Sequence, residues 1–264
     1  MTVKGVLSKM KVEHSSPVSY KLNFAEDVLV NDWIGKHLTI KFDGVIHCIS
    51  CEKQIKKAFG QGFCYPCFQN DPSNSECIIR PELCEAHMGK GRDVEWEERN
   101  HNQPHYVYLA ASSGVKVGVT RETQVPTRWI DQGASSAIIL AEVPYRQLAG
   151  EIEVSLKEHI SDKTAWQRML KNELIDVDLE ELKEEMIECL DEGYHDFISD
   201  NDDVLDIEYP VQEFPLKVKS MKLDKIPVIE GVLKGIKGQY LIFNEGRVIN
   251  LRNHSGYEVE ITVD

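Results

Sequence analysis

Four cysteines carry the plainest chemistry in this chain. Cys48-Ile49-Ser50-Cys51 is followed, after 12 intervening residues, by Cys64-Tyr65-Pro66-Cys67. A two-residue gap between cysteines folds a tight knuckle that points both thiolates at one ion, and two knuckles complete a tetrahedron of soft ligands. Such a site keeps no open position for water, so the expected group is a structural Zn2+. A second constellation follows in Cys77, Cys84 and His87, with His101 and His105 as candidate fourth ligands. These residues predict either a second metal site or two thiols packed inside the same module. Cys189 stands alone and reads as a small buried apolar residue or an incidental thiol.

The composition says where such thiols must live. The chain has 264 residues, 42% apolar and 28% charged, with a formal net charge of -14. Six of its seven cysteines crowd between Cys48 and Cys84, and the sequence MTVKGVLSKMKVEHSS at the start has no apolar core of a secretion signal. Metal binding in a reducing compartment is therefore expected over disulfides, which predicts a cytoplasmic protein. No stretch approaches the roughly 18 apolar residues of a membrane helix, so no membrane partner is expected. The negative charge is local: Lys171 to Glu208 holds 16 Asp and Glu against 2 Lys, which leaves 28 acidic and 28 basic residues elsewhere. That balance excludes a broad basic footprint but permits site-specific contact with nucleic acid.

The elements that must position these residues follow from periodicity. Residues 1–47 alternate apolar and polar positions (Val18, Tyr20, Leu22; Leu38, Ile40, Phe42), as half-buried strands do. Residues 48–104 are rich in Cys, Pro and Gly and read as a metal-held module. Between 105 and 172, two short strands (Tyr106 to Ala110, Val115 to Val119) precede a short helix bracketed by Pro126 and Gly133. A third strand (Ala137 to Val143) and a long helix from about Pro144 complete this stretch. That helix carries Ala149, Glu153, Leu156 and Ile160 on one stripe, so the Glu153 carboxylate faces packed atoms or a cleft. Residues 173–208 predict an acidic amphipathic helix (Leu179, Leu182, Met186, Ile187, Leu190), whose charge would repel phosphates or dock a basic protein partner. Residues 209–264 return to strands, and a weak echo between Gly5-Val6-Leu7 and Gly231-Val232-Leu233 would join both termini in one β unit. The expected class is α+β.

Within 105–172, Tyr106-Val107-Tyr108, Lys116-Val117-Gly118-Val119-Thr120, Arg128-Trp129 and Ile152-Glu153 resemble, in order and coarse secondary structure though with a short gap between the first two motifs, the core of the GIY-YIG nuclease superfamily. The resemblance implies that Glu153 holds one Mg2+ or Mn2+, that Arg128 stabilises phosphoryl charge, and that Tyr108 assists the attacking water. Phosphodiester hydrolysis needs both a metal Lewis acid and a fixed cation where charge develops. Two positions depart from the pattern: Tyr106 replaces the first motif's Gly, and Lys116 replaces the second motif's Tyr. A lysine contacts phosphate readily but is a poor general base. Two functions are thus open: a metal-dependent endonuclease using Tyr108, Lys116, Arg128 and Glu153, or a non-catalytic nucleic-acid-binding or adaptor protein that keeps the fold. They differ in whether Tyr108, Arg128 and Glu153 line one open cleft.

Nearly the whole chain also resembles a bacterial domain-of-unknown-function family, through Cys64-Tyr65-Pro66-Cys67, Arg80-Pro81-Glu82-Leu83-Cys84, the string from Arg128 to Ala134 and Gly235-Ile236-Lys237-Gly238-Gln239-Tyr240-Leu241. In the last of these, Gly235 and Gly238 with Lys237, Arg252 and Tyr257 predict either a cationic turn on which a nucleic-acid strand could rest or a solvated hairpin end.

Overall fold

Alternation decides the sheet that carries the chain ends. In the strand His37–His47, Leu38 and Ile40 are buried while His37 and Lys41 face solvent, and in Tyr257–Val263 every second residue from Tyr257 is buried. In the computed structural model, which describes residues 1–160 and 165–264, these strands pair antiparallel with Ile261 opposite Ile40. Among the described residues the sheet has eight strands. Their order is Thr2–Val6, Tyr257–Val263, His37–His47, Val228–Lys237, Tyr240–Phe243, Arg247–Asn250 and Lys219–Ser220, with Gln54–Ile55 added to His37–His47. Thr2 faces Thr262, so both ends of the chain lie in one sheet. A three-stranded ribbon (Lys11–Glu13, Ser19–Asn23, Asp27–Leu29) buries Tyr20 and Leu22 beneath it.

The chain divides into two compact units, one of residues 1–69, 130–133 and 207–264, the other of 70–129 and 134–206. This division differs from the five consecutive regions read in the sequence. Both terminal β regions join one sheet, and residues 48–104 are shared between the units because their two cysteine clusters attach to different frameworks.

In the first unit, Asp131 explains two of the distinctive strings. Its nearly buried carboxylate accepts from Lys9 Nζ at 2.6 Å and from Gln239 Nε2 at 2.8 Å. Gln239 in turn accepts from the Met10 amide at 2.7 Å. Gly238, at φ +60°, lies so close to the Asp131 carbonyl that a Cβ would stand 3.1 Å from it. The string around Lys237 is therefore interior: Lys237 is 1% exposed, with its ammonium over the rings of Tyr209 and Phe214 at 5.1 and 5.7 Å. Tyr257 is also buried and donates to Asp224 at 2.9 Å. Neither residue forms the cationic surface turn considered for this region, since burial turns both inward.

The second unit is built on a four-stranded antiparallel sheet in the order Leu205–Asp206, Ser136–Val143, His105–Ala111 and Val115–Arg121. The helix Arg146–Lys157 lays Leu148, Ala149, Ile152 and Leu156 on that sheet's core. Gly150 lets this helix approach the turn Pro81–Leu83, where a Cβ would collide with the backbone of Pro81 and Glu82. The acidic segment forms a shorter helix than its composition suggests, Leu179–Glu188, capped by Asp178, which accepts from the amides of Glu180 and Glu181. Leu179 and Met186 join the same core. The remainder is gathered by one cation: buried Lys183 donates to the carbonyls of Ser199 and Asn201 at 2.7 and 2.9 Å and to Asp202 at 2.7 Å. Cys189 is exposed.

Candidate metal centres

The first knuckle begins where the strand His37–His47 ends. Cys48 donates its amide to the Lys53 carbonyl, and Glu52, at φ +60°, returns its amide to the Cys48 carbonyl, both at 2.9 Å. The second knuckle opens the helix Tyr65–Asn70 and is pinned by Gly62, whose φ of +120° and contact with the Ser255 carbonyl leave no room for a side chain. Within this frame the Cys64 amide donates to Cys48 Sγ at 3.2 Å, and the sulfurs of Cys51 and Cys64 stand 3.8 Å apart. The ligand atoms of Cys48, Cys51, Cys64 and Cys67 all lie within 4.8 Å of one another. All are free thiols.

The electrostatics favour a cation. Burial opposes ionisation of Cys48, but the amides of Cys51, Cys64 and Ser50 outweigh it and pull its pKa down to about 6. For Cys67 the Ser50 hydroxyl favours the thiolate, yet neighbouring Cys64, Cys51 and Cys48 push it up to about 12. Four sulfurs this close ionise together only around a positive ion. The arrangement can hold a metal ion, and four thiolates would leave it no open coordination position.

A second group of ligand atoms lies in the other unit. Cys77 sits in the turn Glu76–Ile78, Cys84 follows the turn Pro81–Leu83, and Glu97 and His101 lie four residues apart on the helix Val94–His101, which Asp93 caps. Their ligand atoms also fall within 4.8 Å of one another, and all four residues are buried. The Cys84 thiol draws Cys77 down to about 4 and is itself pushed up. Of the three residues suggested by sequence, Cys77 and Cys84 meet here, whereas the His87 ring stacks on Tyr145 at 4.5 Å. Of the two further histidines, His101 is in the group. His105 instead turns Nδ1 to the Gln103 carbonyl at 2.7 Å. Glu97 was missed by the sequence reading, although its four-residue spacing from His101 on a capped helix is a visible signal.

The four residues of the nuclease resemblance stand on one sheet and two helices, Tyr108 and Lys116 on neighbouring strands, Arg128 on the helix Thr127–Gln132 and Glu153 on the helix Arg146–Lys157. Tyr108 is fully buried, its ring 5.8 Å from that of Trp129 and its hydroxyl end against Gly118. Lys116 stands on the neighbouring strand, where it pairs in register with Ala110. Glu153 is largely buried and forms an ion pair with Lys157 at 3.2 Å. Burial lowers the pKa of Arg146, while Cys77 and Cys84 raise it, Arg128 lowers it and Glu153 raises it. Residues 161–164, within the stretch 105–172 that carries the resemblance, lie outside the described residues.

No helix among the described residues is long and apolar enough to cross a membrane. No curated protein and no solved structure matches the chain. One family does, described as "Protein of unknown function (DUF2797)", over residues 35–259, a span that takes in both cysteine groups and the whole second unit. The chain belongs to this DUF2797 family.

Proposed function

We propose that the protein is a zinc-held, single-strand nucleic-acid-binding protein that keeps a GIY-YIG-like frame without cleaving, and that it works in a reducing compartment such as the cytoplasm. The observation that carries this reading is the surface of the four-cysteine knuckle. Between Cys48 and Gln69 the chain has Lys53, Lys56 and Lys57, all exposed, against the single acid Glu52. Lys57 Nζ lies 5.4 Å from the centre of the Phe59 ring, Phe59 meets Tyr65 edge-on at 5.3 Å, and Tyr65 is 52% exposed. Arg252 joins the rim by donating to Gln61 at 2.7 Å. Cations that follow a backbone beside aromatic faces that stack on bases are what single-strand binding requires, and neither needs a particular sequence.

Zinc is supported by distance. With Zn–S near 2.3 Å, a tetrahedron has edges of about 3.8 Å, matching the Cys51–Cys64 separation of 3.8 Å. The ion would fix the knuckles and perform no chemistry itself. The absence of cleavage is supported by the burial of Tyr108, which no attacking water can reach, and by the Glu153–Lys157 pair, which offers the carboxylate a cation already. The exposed acids of the helix Leu179–Glu188 would turn phosphates away from that surface or receive a basic protein partner.

The test is one titration with two readouts: fluorescence anisotropy of labelled single-stranded and duplex oligonucleotides, followed by gel analysis after incubation with Mg2+ or Mn2+. The reading expects single-strand binding, weakened by Tyr65→Ala, with every oligonucleotide intact. Cleavage lost in Glu153→Gln would establish the nuclease instead, because an amide binds a hard cation poorly. An absence of binding would remove the nucleic-acid reading altogether.

A further inference from the structure

Cys77, Cys84, Glu97 and His101 are 8, 3, 3 and 3% exposed. Two buried thiols alone would need no explanation, since a thiol packs as a small apolar group. A buried carboxylate does, because removing its charge from water is costly unless something compensates it. Oε2 of Glu97 is shut off from solvent and accepts no hydrogen bond among the described residues, although Nδ1 of His101 stands in close ion-pair contact with it. The same nitrogen lies 3.5 Å from Cys84 Sγ and 3.8 Å from Cys77 Sγ. One imidazole nitrogen carries at most one proton, so it cannot serve three acceptors at once. One proton cannot fill all of these contacts, and the four ligand atoms lie within 4.8 Å of one another, close enough to share one ion.

We propose that these four side chains form a second metal site, for a tetrahedral divalent cation of the zinc class. Two thiolates and a carboxylate around a divalent ion leave one negative charge, and a cation is already at hand. Arg146 donates from Nε at 3.0 Å and Nη2 at 2.9 Å to the Cys77 carbonyl, and from Nη2 at 3.0 Å to the Ile78 carbonyl. It thus offsets the residual charge and also fixes the loop that presents Cys77. The turns around Cys77 and Cys84 supply one pair of ligands and the helix Val94–His101 the other, so the ion would clamp loop to helix across a stretch with little other core. Among the described residues, the small apolar cluster there consists of Cys77, Cys84 and Ala86. His87 falls outside this group, its ring stacked on Tyr145 at 4.5 Å.

Elemental analysis of the freshly purified full-length protein tests this. The proposal expects about two zinc equivalents in the wild type, about one in His101→Ala and in Cys84→Ser, and about two in His87→Ala. Cobalt replacement of the wild-type ions gives a readout that does not depend on any variant folding. Thiolate-to-metal absorption should then be lost in two steps during chelation, one with about half the intensity of the other, since one site has two thiolates and the other four. One equivalent in the wild type with all its thiolate absorption lost in a single step would overturn the proposal. So would loss of an equivalent in His87→Ala with none lost in His101→Ala.

Discussion

His105 should make the protein sensitive to mild acid, by an amount that follows from its burial. It opens the strand His105–Ala111 with no exposed surface, and Nδ1 lies 2.7 Å from the Gln103 carbonyl, so the ring proton belongs on that nitrogen. Nε2 is buried without a hydrogen-bond partner among the described residues. Burial pushes the pKa down to about 3, against the carbonyl contact, which raises it, and nearby Arg146, His101 and Arg121 press it further down. In the unfolded chain the ring titrates near 6.5. A folded pKa below the unfolded one means that the stabilisation is complete above about pH 6.5 and is lost as pH falls through the window down to the folded value. Between pH 7 and pH 5 the unfolded chain takes up most of a proton that the folded chain refuses, which costs about 2 kcal/mol. His105→Asn keeps a donor for Gln103 but cannot ionise. In urea titrations at the two pH values, the wild type should therefore lose about 2 kcal/mol more than the variant. Metal ligands titrate in both proteins and cancel in this difference. Parallel pH profiles would refute the reasoning.

Two further substitutions test the packing that holds the candidate sites. Gly150→Ala would stabilise an ordinary helix by about 0.5–1 kcal/mol, but here the methyl meets the Pro81–Glu82 backbone, so chemical denaturation should show a loss of about 2 kcal/mol. Lys183→Met leaves the Ser199 and Asn201 carbonyls and Asp202 without their shared donor, which should cost about 3 kcal/mol and remove hydrogen-exchange protection around residues 199–201.

The sequence was legible where spacing is local. The two-residue cysteine gaps, the Pro126–Gly133 bracket and the Ala149–Glu153–Leu156 stripe each follow from neighbours along one turn or one helix face, and each has its counterpart in the fold. The alternation of Leu38 and Ile40 likewise announces a strand, but not that its partner is Ile261, because register is set by residues far apart in the chain. Burial was the least legible property. Lys237 looked like a surface cation beside two glycines, yet its stem and ammonium are enclosed by Tyr209 and Phe214, which stand more than twenty positions earlier. The acidic segment reads as an amphipathic helix broken by the run Asp200 to Asp206, and nothing local reveals that Lys183 reaches Ser199, Asn201 and Asp202. Glu97 was hidden for the same reason, since a glutamate in a run of glutamates becomes a candidate ligand only when Cys77 and Cys84 are folded against it.

The salt dependence of single-strand binding tests the central claim most directly. If Lys53, Lys56, Lys57 and Arg252 each neutralise a phosphate, the logarithm of the association constant should fall with the logarithm of salt concentration at a slope of about -3. Replacing the three lysines by Gln should bring that slope to about -1 with the four-cysteine metal retained. A slope near zero, or one unchanged by the triple substitution, would contradict the account.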